Sequence, residues 1–276
     1  MTMPLGDYEP FRGWSGKPRD WGPDGAGWRA WFGGGVVDGL CDVLDEHLTT
    51  RYGRDIRPAA IGCVPWLTSE AVVDRLLKLN SVCVVIDKGA SQHALDRLCL
   101  PNHGFPNEAV SRLADMMPAN ADGSAPLTIG PYTPRGATWH DIDPIRVAGW
   151  LHGRRKPLVH AKMLVLGRIG WTSYDTPYGL DEGNIRFTPL KVWWGSANWT
   201  DPSTTHLEVG FVSDDSKLVD SAADFVADMI AFSEPITSSC PGPEPNLVEV
   251  GYDNEAMAQA AAEYEEAHEG YGEDDY

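Results

Sequence analysis

The chain has few cysteines, few basic residues and no long apolar run, and each shortage excludes something. Its five cysteines (Cys41, Cys63, Cys83, Cys99, Cys240) are odd in number and never stand at CxxC spacing. That argues against a disulfide framework or a zinc ribbon. Cys63 and Cys83 sit in apolar strand-like stretches and read as small core residues rather than reactive thiols. The longest apolar runs, such as 82–86, fall far short of the roughly 20 residues a helix needs to cross a bilayer. Residues 1–14 show neither a basic n-region nor an apolar h-region, so no secretory signal is expected and a cytoplasmic setting is the default. The 22 Lys and Arg are outnumbered by 40 Asp and Glu, for a net charge of −18. Such a balance argues against non-specific attraction to nucleic acid or anionic membrane.

What remains is a globular composition. The 276 residues are 42% hydrophobic, with 11 tryptophans, ample for a buried core. The charge is lopsided: residues 251–276 carry nine acids and no Lys or Arg, half of the total. This acidic tail reads either as a solubilising end or as a polyanion mimic that occupies a basic cleft. The organisation expected is a Gly/Trp-rich arm and helix over 1–50, a catalytic domain over 51–235, and a Pro-rich linker with the tail over 236–276.

Periodicity places the elements. Val36, Val37, Leu40, Val43, Leu44 and Leu48 recur at helical spacing. Residues 59–64 read as a buried strand, Thr68 or Ser69 as the cap of a helix reaching Leu79, and 82–86 as a second strand. Strand–helix–strand is the unit of an α/β sheet with parallel neighbours. Further helices are expected over 92–100, 108–117 and 216–232, strands over 158–166, 190–194 and 207–212, and a short helix over 254–267. Residues 168–187 read as an inserted loop.

The chemistry concentrates in the second half. His160 and Lys162 stand two apart in an apolar strand, which aims both at one face. Burying two ionisable groups there without purpose is unfavourable. Gly195-Ser196-Ala197-Asn198 ends another strand, and Glu208 interrupts a third. A nucleophile, a fixed cation, two neutral hydrogen-bonding groups and a carboxylate suit attack on a phosphodiester. The carboxylate would select the histidine tautomer and stabilise the imidazolium. No HExxH or DxD-type cluster is visible, and neither a metal nor a cofactor is required.

His160-x-Lys162, then Gly195-Ser196-x-Asn198, then a strand bearing Glu208 resembles the phospholipase D superfamily, the HKD phosphodiesterases, over roughly residues 55–235. The resemblance implies an α/β sandwich of helices on a mixed sheet and a covalent phosphohistidine on His160. It implies that Lys162, Ser196 and Asn198 bind phosphate and that Glu208 orients histidine. The chain departs from the family pattern at Gly167, where an Asp is usual, and in the longer stretch between Lys162 and Gly195. It also holds one HxK where the family's site uses two; His152-Gly153-Arg154 is the nearest imitation. The resemblance therefore implies a homodimer sharing one site on its two-fold axis.

Arg154, Arg155 and Lys156 directly precede the motif and are candidates for backbone contacts to nucleic acid. Trp199 is a candidate for base stacking, with core packing as the competing reading. His206, two positions before Glu208, reads as a surface histidine. The expected activity is that of a nuclease. A phospholipase or phosphatidyltransferase, and a non-catalytic nucleic-acid-binding subunit of a larger complex, are the alternatives.

Overall fold

A computed structural model describes residues 19–20, 27–53, 55–88, 103–120, 124–128, 140–148, 159–175, 181–236 and 247–269. Its frame is a nine-stranded mixed sheet. The strands are β1 (Arg19–Asp20), β2 (Arg29–Gly33), β3 (Ile56–Val64), β4 (Ser81–Asp87), β5 (Ile145–Ala148), β6 (Met163–Asp175), β7 (Asp181–Gly195), β8 (Glu208–Ser213) and β9 (Glu234–Pro235). Their spatial order is β1-β2-β8-β7-β6-β3-β4-β5-β9. The neighbours β3, β4 and β5 run parallel, as strand–helix–strand requires, and the other pairs are antiparallel.

Helices cover both faces. On one, α1 (Val36–Thr49) and α2 (Glu70–Leu76) pack on Ala60, Val64, Val82, Val84, Ile86, Leu164 and Leu166. On the other, α3 (Ser111–Ala114) and α4 (Ser216–Phe232) pack on Ala59, Ile61, Cys63, Cys83, Val85 and Val165. Alternate residues of one strand thus feed opposite cores, which is why 59–64 and 82–86 are apolar without alternation. Val72, Val73 and Leu76 of α2 are fully buried; each such side chain contributes about 1.5–3 kcal/mol. The Asp215 carboxylate caps α4 by accepting from the Leu218 amide at 3.0 Å. Among the described residues no helix is long and apolar enough to cross a membrane.

Several elements differ from the sequence reading. Met163, not Leu158, opens β6, so His160 and Lys162 lie just ahead of the strand. Residues 168–187 are no loop over their described part. They belong to β6 and β7, whose pairing continues from Gly170↔Arg186 to Asp175↔Asp181 after β3 has ended its pairing with β6 at Ile56. Gly, Ser, Asp and Pro in this stretch hid the strand signal, and the arm leads away from the motif rather than over it. Part of the N-terminal arm is sheet: β2 pairs with β8, and Trp31 is buried against Trp193. The helix expected over 108–117 shrinks to α3, because buried Asn107 donates through Nδ2 to the Ala114 and Met116 carbonyls at 3.2 and 3.3 Å and so ends it. The tail helix is present as α5 (Asn254–Glu269). The helix expected over 92–100, Trp14, Trp21 and residues 270–276 lie outside the described residues.

Gly62 sets the spacing between β3 and β6. A Cβ there would meet the Met163 carbonyl oxygen at 2.7 Å and Leu164 Cδ1 at 2.9 Å. Gly62→Ala is expected to destabilise the fold by about 1–3 kcal/mol, as overpacking does. At Gly251 a Cβ meets nothing within 4 Å, so Gly251→Ala serves as the neutral control. Thermal melting of the two variants checks this; equal melting temperatures contradict it.

Candidate active site

The motif residues meet along one edge of the sheet, where β3 and β7 end and β6 and β8 begin. In the antiparallel β6–β7 and β7–β8 pairs, Met163 lies opposite Trp194 and Gly195 opposite Gly210. The ladders continue one step past the strands. The Gly195 amide donates to the Lys162 carbonyl at 3.2 Å, and the Ser196 amide to the Val209 carbonyl at 2.9 Å. A Cβ on Gly195 would run into that Val209 carbonyl, so only glycine lets the turn close.

Glu208 is the hub. Ser196 Oγ donates to Glu208 Oε2 and accepts from the Val209 amide at 3.0 Å. Its one proton is therefore committed, and Ser196 must release Glu208 before it can donate to a phosphate oxygen. The other carboxylate oxygen, Oε1, lies 3.8 Å from His206 Nδ1. Sequence reasoning had Glu208 orient His160; the imidazole it faces here is that of His206. The spacing His206-x-Glu208 was visible in the sequence, but a surface histidine two residues from a carboxylate carries little signal.

Lys162 is buried, at 8% exposure, and its Nζ donates to the His160 carbonyl at 3.1 Å. Burial lowers the ammonium pKa below the ordinary lysine value, and the Glu208 charge pushes back upward. His160 is exposed, unlike its companion. Asn198 Oδ1 is buried and accepts no hydrogen bond in this structure. With the amide turned so that Nδ2 takes that place, it would offer a donor to an anionic oxygen.

Other candidates fare differently. Trp199 is 1% exposed and packs in the core, so the stacking role is corrected: the ring is consumed by the fold. Its backbone is structural too, since its carbonyl accepts from the Thr68 and Ser69 amides at 2.9 Å. These bonds, not a serine side chain, hold the start of α2. Arg154, Arg155 and Lys156 lie outside the described residues. Burial pushes the Cys63 and Cys83 thiols up to about 12, which suits inert core residues. Among the described residues no three His, Cys, Asp or Glu side chains converge as a ligand set.

Gly167, where the family pattern has Asp, sits at a register shift in β6. A Cβ there would lie 2.5 Å from the Phe187 ring and 2.5 Å from the Thr188 carbonyl oxygen. The place of that side chain is filled from β7.

No family model matches the chain, and no curated protein matches it. Similar solved structures include NucT from Helicobacter pylori, at a TM-score of 0.38 and 11% identity over 75% of this chain and 98% of that one. Another is the polyphosphate kinase from Porphyromonas gingivalis, at 0.33 and 14%, over 68% of this chain and 23% of that one. The fold is mixed α/β.

The Lys162–Glu208 coupling has a pH signature. Lysine is charged below its pKa, and Glu208 holds that pKa up against burial. Glu208→Gln is therefore expected to move Lys162 deprotonation to lower pH, followed by NMR of its side-chain ε-carbon. An unchanged or upward-shifted titration would contradict the geometry.

Proposed function

We propose that the protein is a metal-independent phosphodiesterase, and specifically a nuclease acting through a covalent phosphohistidine. The observation that carries this reading is the cluster at one sheet edge: the buried Lys162 cation, the Glu208–Ser196 pair and the unmet Asn198 amide, with exposed His160 two residues from Lys162. A partly desolvated ammonium favours an anionic guest, and the Asn198 amide, once turned to present Nδ2, adds a donor.

In the first step the His160 imidazole attacks phosphorus and the bond to the leaving oxygen breaks. That oxygen takes a proton from a second imidazole. In the second step the same imidazole removes a proton from water, the water oxygen attacks phosphorus, and the P–N bond breaks. Lys162 and Asn198 hold the non-bridging oxygens. Ser196 joins them as it releases Glu208, and the Glu208 charge favours the protonated form of Lys162. The second imidazole is His160 of a second copy of the chain, so the active form is a homodimer. The reading carries a cytoplasmic setting, in keeping with the free buried thiols of Cys41, Cys63 and Cys83.

The expected result is cleavage of DNA or RNA in EDTA, with a radiolabelled phosphate adduct mapping to His160. His160→Ala is expected to lower the rate by roughly three orders of magnitude or more. Headgroup release from vesicles without strand cleavage would instead identify a lipid hydrolase. Binding of nucleic acid without any cleavage would identify a non-catalytic subunit. A strictly monomeric active form would remove the shared-site model.

A further inference from the structure

The tryptophan with the best claim on substrate is not the one the sequence singled out. Trp31, Trp193 and Trp199 are buried, and Trp28 and Trp194 pack edge to face at 5.6 Å. Trp66 is 48% exposed, and among the described residues no aromatic ring pairs with it. It stands immediately beyond β3, at the edge where the motif residues gather.

The register fixes its place. Cys63 of β3 lies opposite Met163 of β6 in an antiparallel pair. Trp66 is three residues past Cys63, and His160 three residues before Met163, so both leave the sheet at matching positions. The Trp66 carbonyl accepts from the Trp199 amide at 3.1 Å, one residue after Asn198. Trp66 therefore stands at the register position of His160 and is bonded through its backbone to the segment that carries Asn198. Its backbone is tied down on both sides, because the preceding Pro65 carbonyl accepts from the Asp87 amide at 3.2 Å. An exposed indole on a fixed backbone loses little freedom when a planar partner covers it.

We infer that Trp66 is a stacking platform for an unpaired nucleobase next to the scissile phosphate. The inference rests on the nuclease reading and narrows its substrate to strands whose bases are free to stack: single strands, ends or unwound segments. It also answers the charge problem. A chain at −18 gains little from general attraction to phosphates. Stacking works through the base's face and does not depend on that attraction. Affinity for single strands is then expected to fall only shallowly with salt.

The test compares two ligands that share a backbone. The full chain is titrated with a thymidine octamer and with an abasic octamer of the same length, in EDTA, as wild type, Trp66→Ala and Trp66→Phe. Trp66→Ala is expected to weaken the thymidine octamer by ~5- to 150-fold, the range for losing one base–aromatic stack. It leaves the abasic octamer unchanged, and Trp66→Phe keeps most of the affinity. Equal losses on both ligands, no loss on either, no binding of the thymidine octamer by wild type, or a change of oligomeric state in Trp66→Ala would each overturn the inference. Base-dependent binding without cleavage of either ligand would leave Trp66 its role and remove the nuclease reading.

Discussion

The Ser196–Glu208 hydrogen bond is the constraint around which the site is organised. It joins the end of β7 to the start of β8 by side chains just where the backbone ladder runs out. It fixes a carboxylate whose charge offsets part of the burial that lowers the Lys162 pKa. It also commits the serine's single proton. In the proposed mechanism an anion at the site competes with Glu208 for that proton, which couples binding to a change in the carboxylate's partners.

The sheet order makes this possible at little cost to the fold. Because β6, β7 and β8 are consecutive antiparallel neighbours, their alternating ends meet at one edge, and segments spread over nearly 50 residues of chain come within hydrogen-bonding range. The two cores lie above and below the sheet and take Val159, Ala197 and Trp199 from the motif segments, while the polar residues between them stay at the strand ends. Functional polar groups can therefore sit there without opening a cavity.

Much of this was legible in the sequence, for identifiable reasons. The parallel pair β3–β4, helix α4 and the three motif segments stand out because strong periodicity or unusual polar residues mark them. The long β6–β7 arm did not, because Gly170, Ser173 and the Asp, Pro and Gly residues over 175–183 break up its β-branched and aromatic residues and read as turn signals. Strand β2 hid in a Gly- and Trp-rich stretch for the same reason. At the site, sequence spacing showed which residues would gather but not which would touch. It could not reveal that Lys162 is buried while His160 is exposed, or that Glu208 faces His206. The fates of Trp199 and Trp66 turn on tertiary packing, since both flank strands and only one is needed to fill the core.

The glycine at 167 has a consequence for how this chain can change. Its missing side chain and the Phe187 ring occupy one volume from opposite strands. Introducing a carboxylate at 167 alone collides with the ring, and trimming the ring alone leaves a hole. Because the Thr188 carbonyl oxygen lies equally close, trimming the ring would not by itself make room, and a side chain at 167 also requires the β6–β7 backbone to shift.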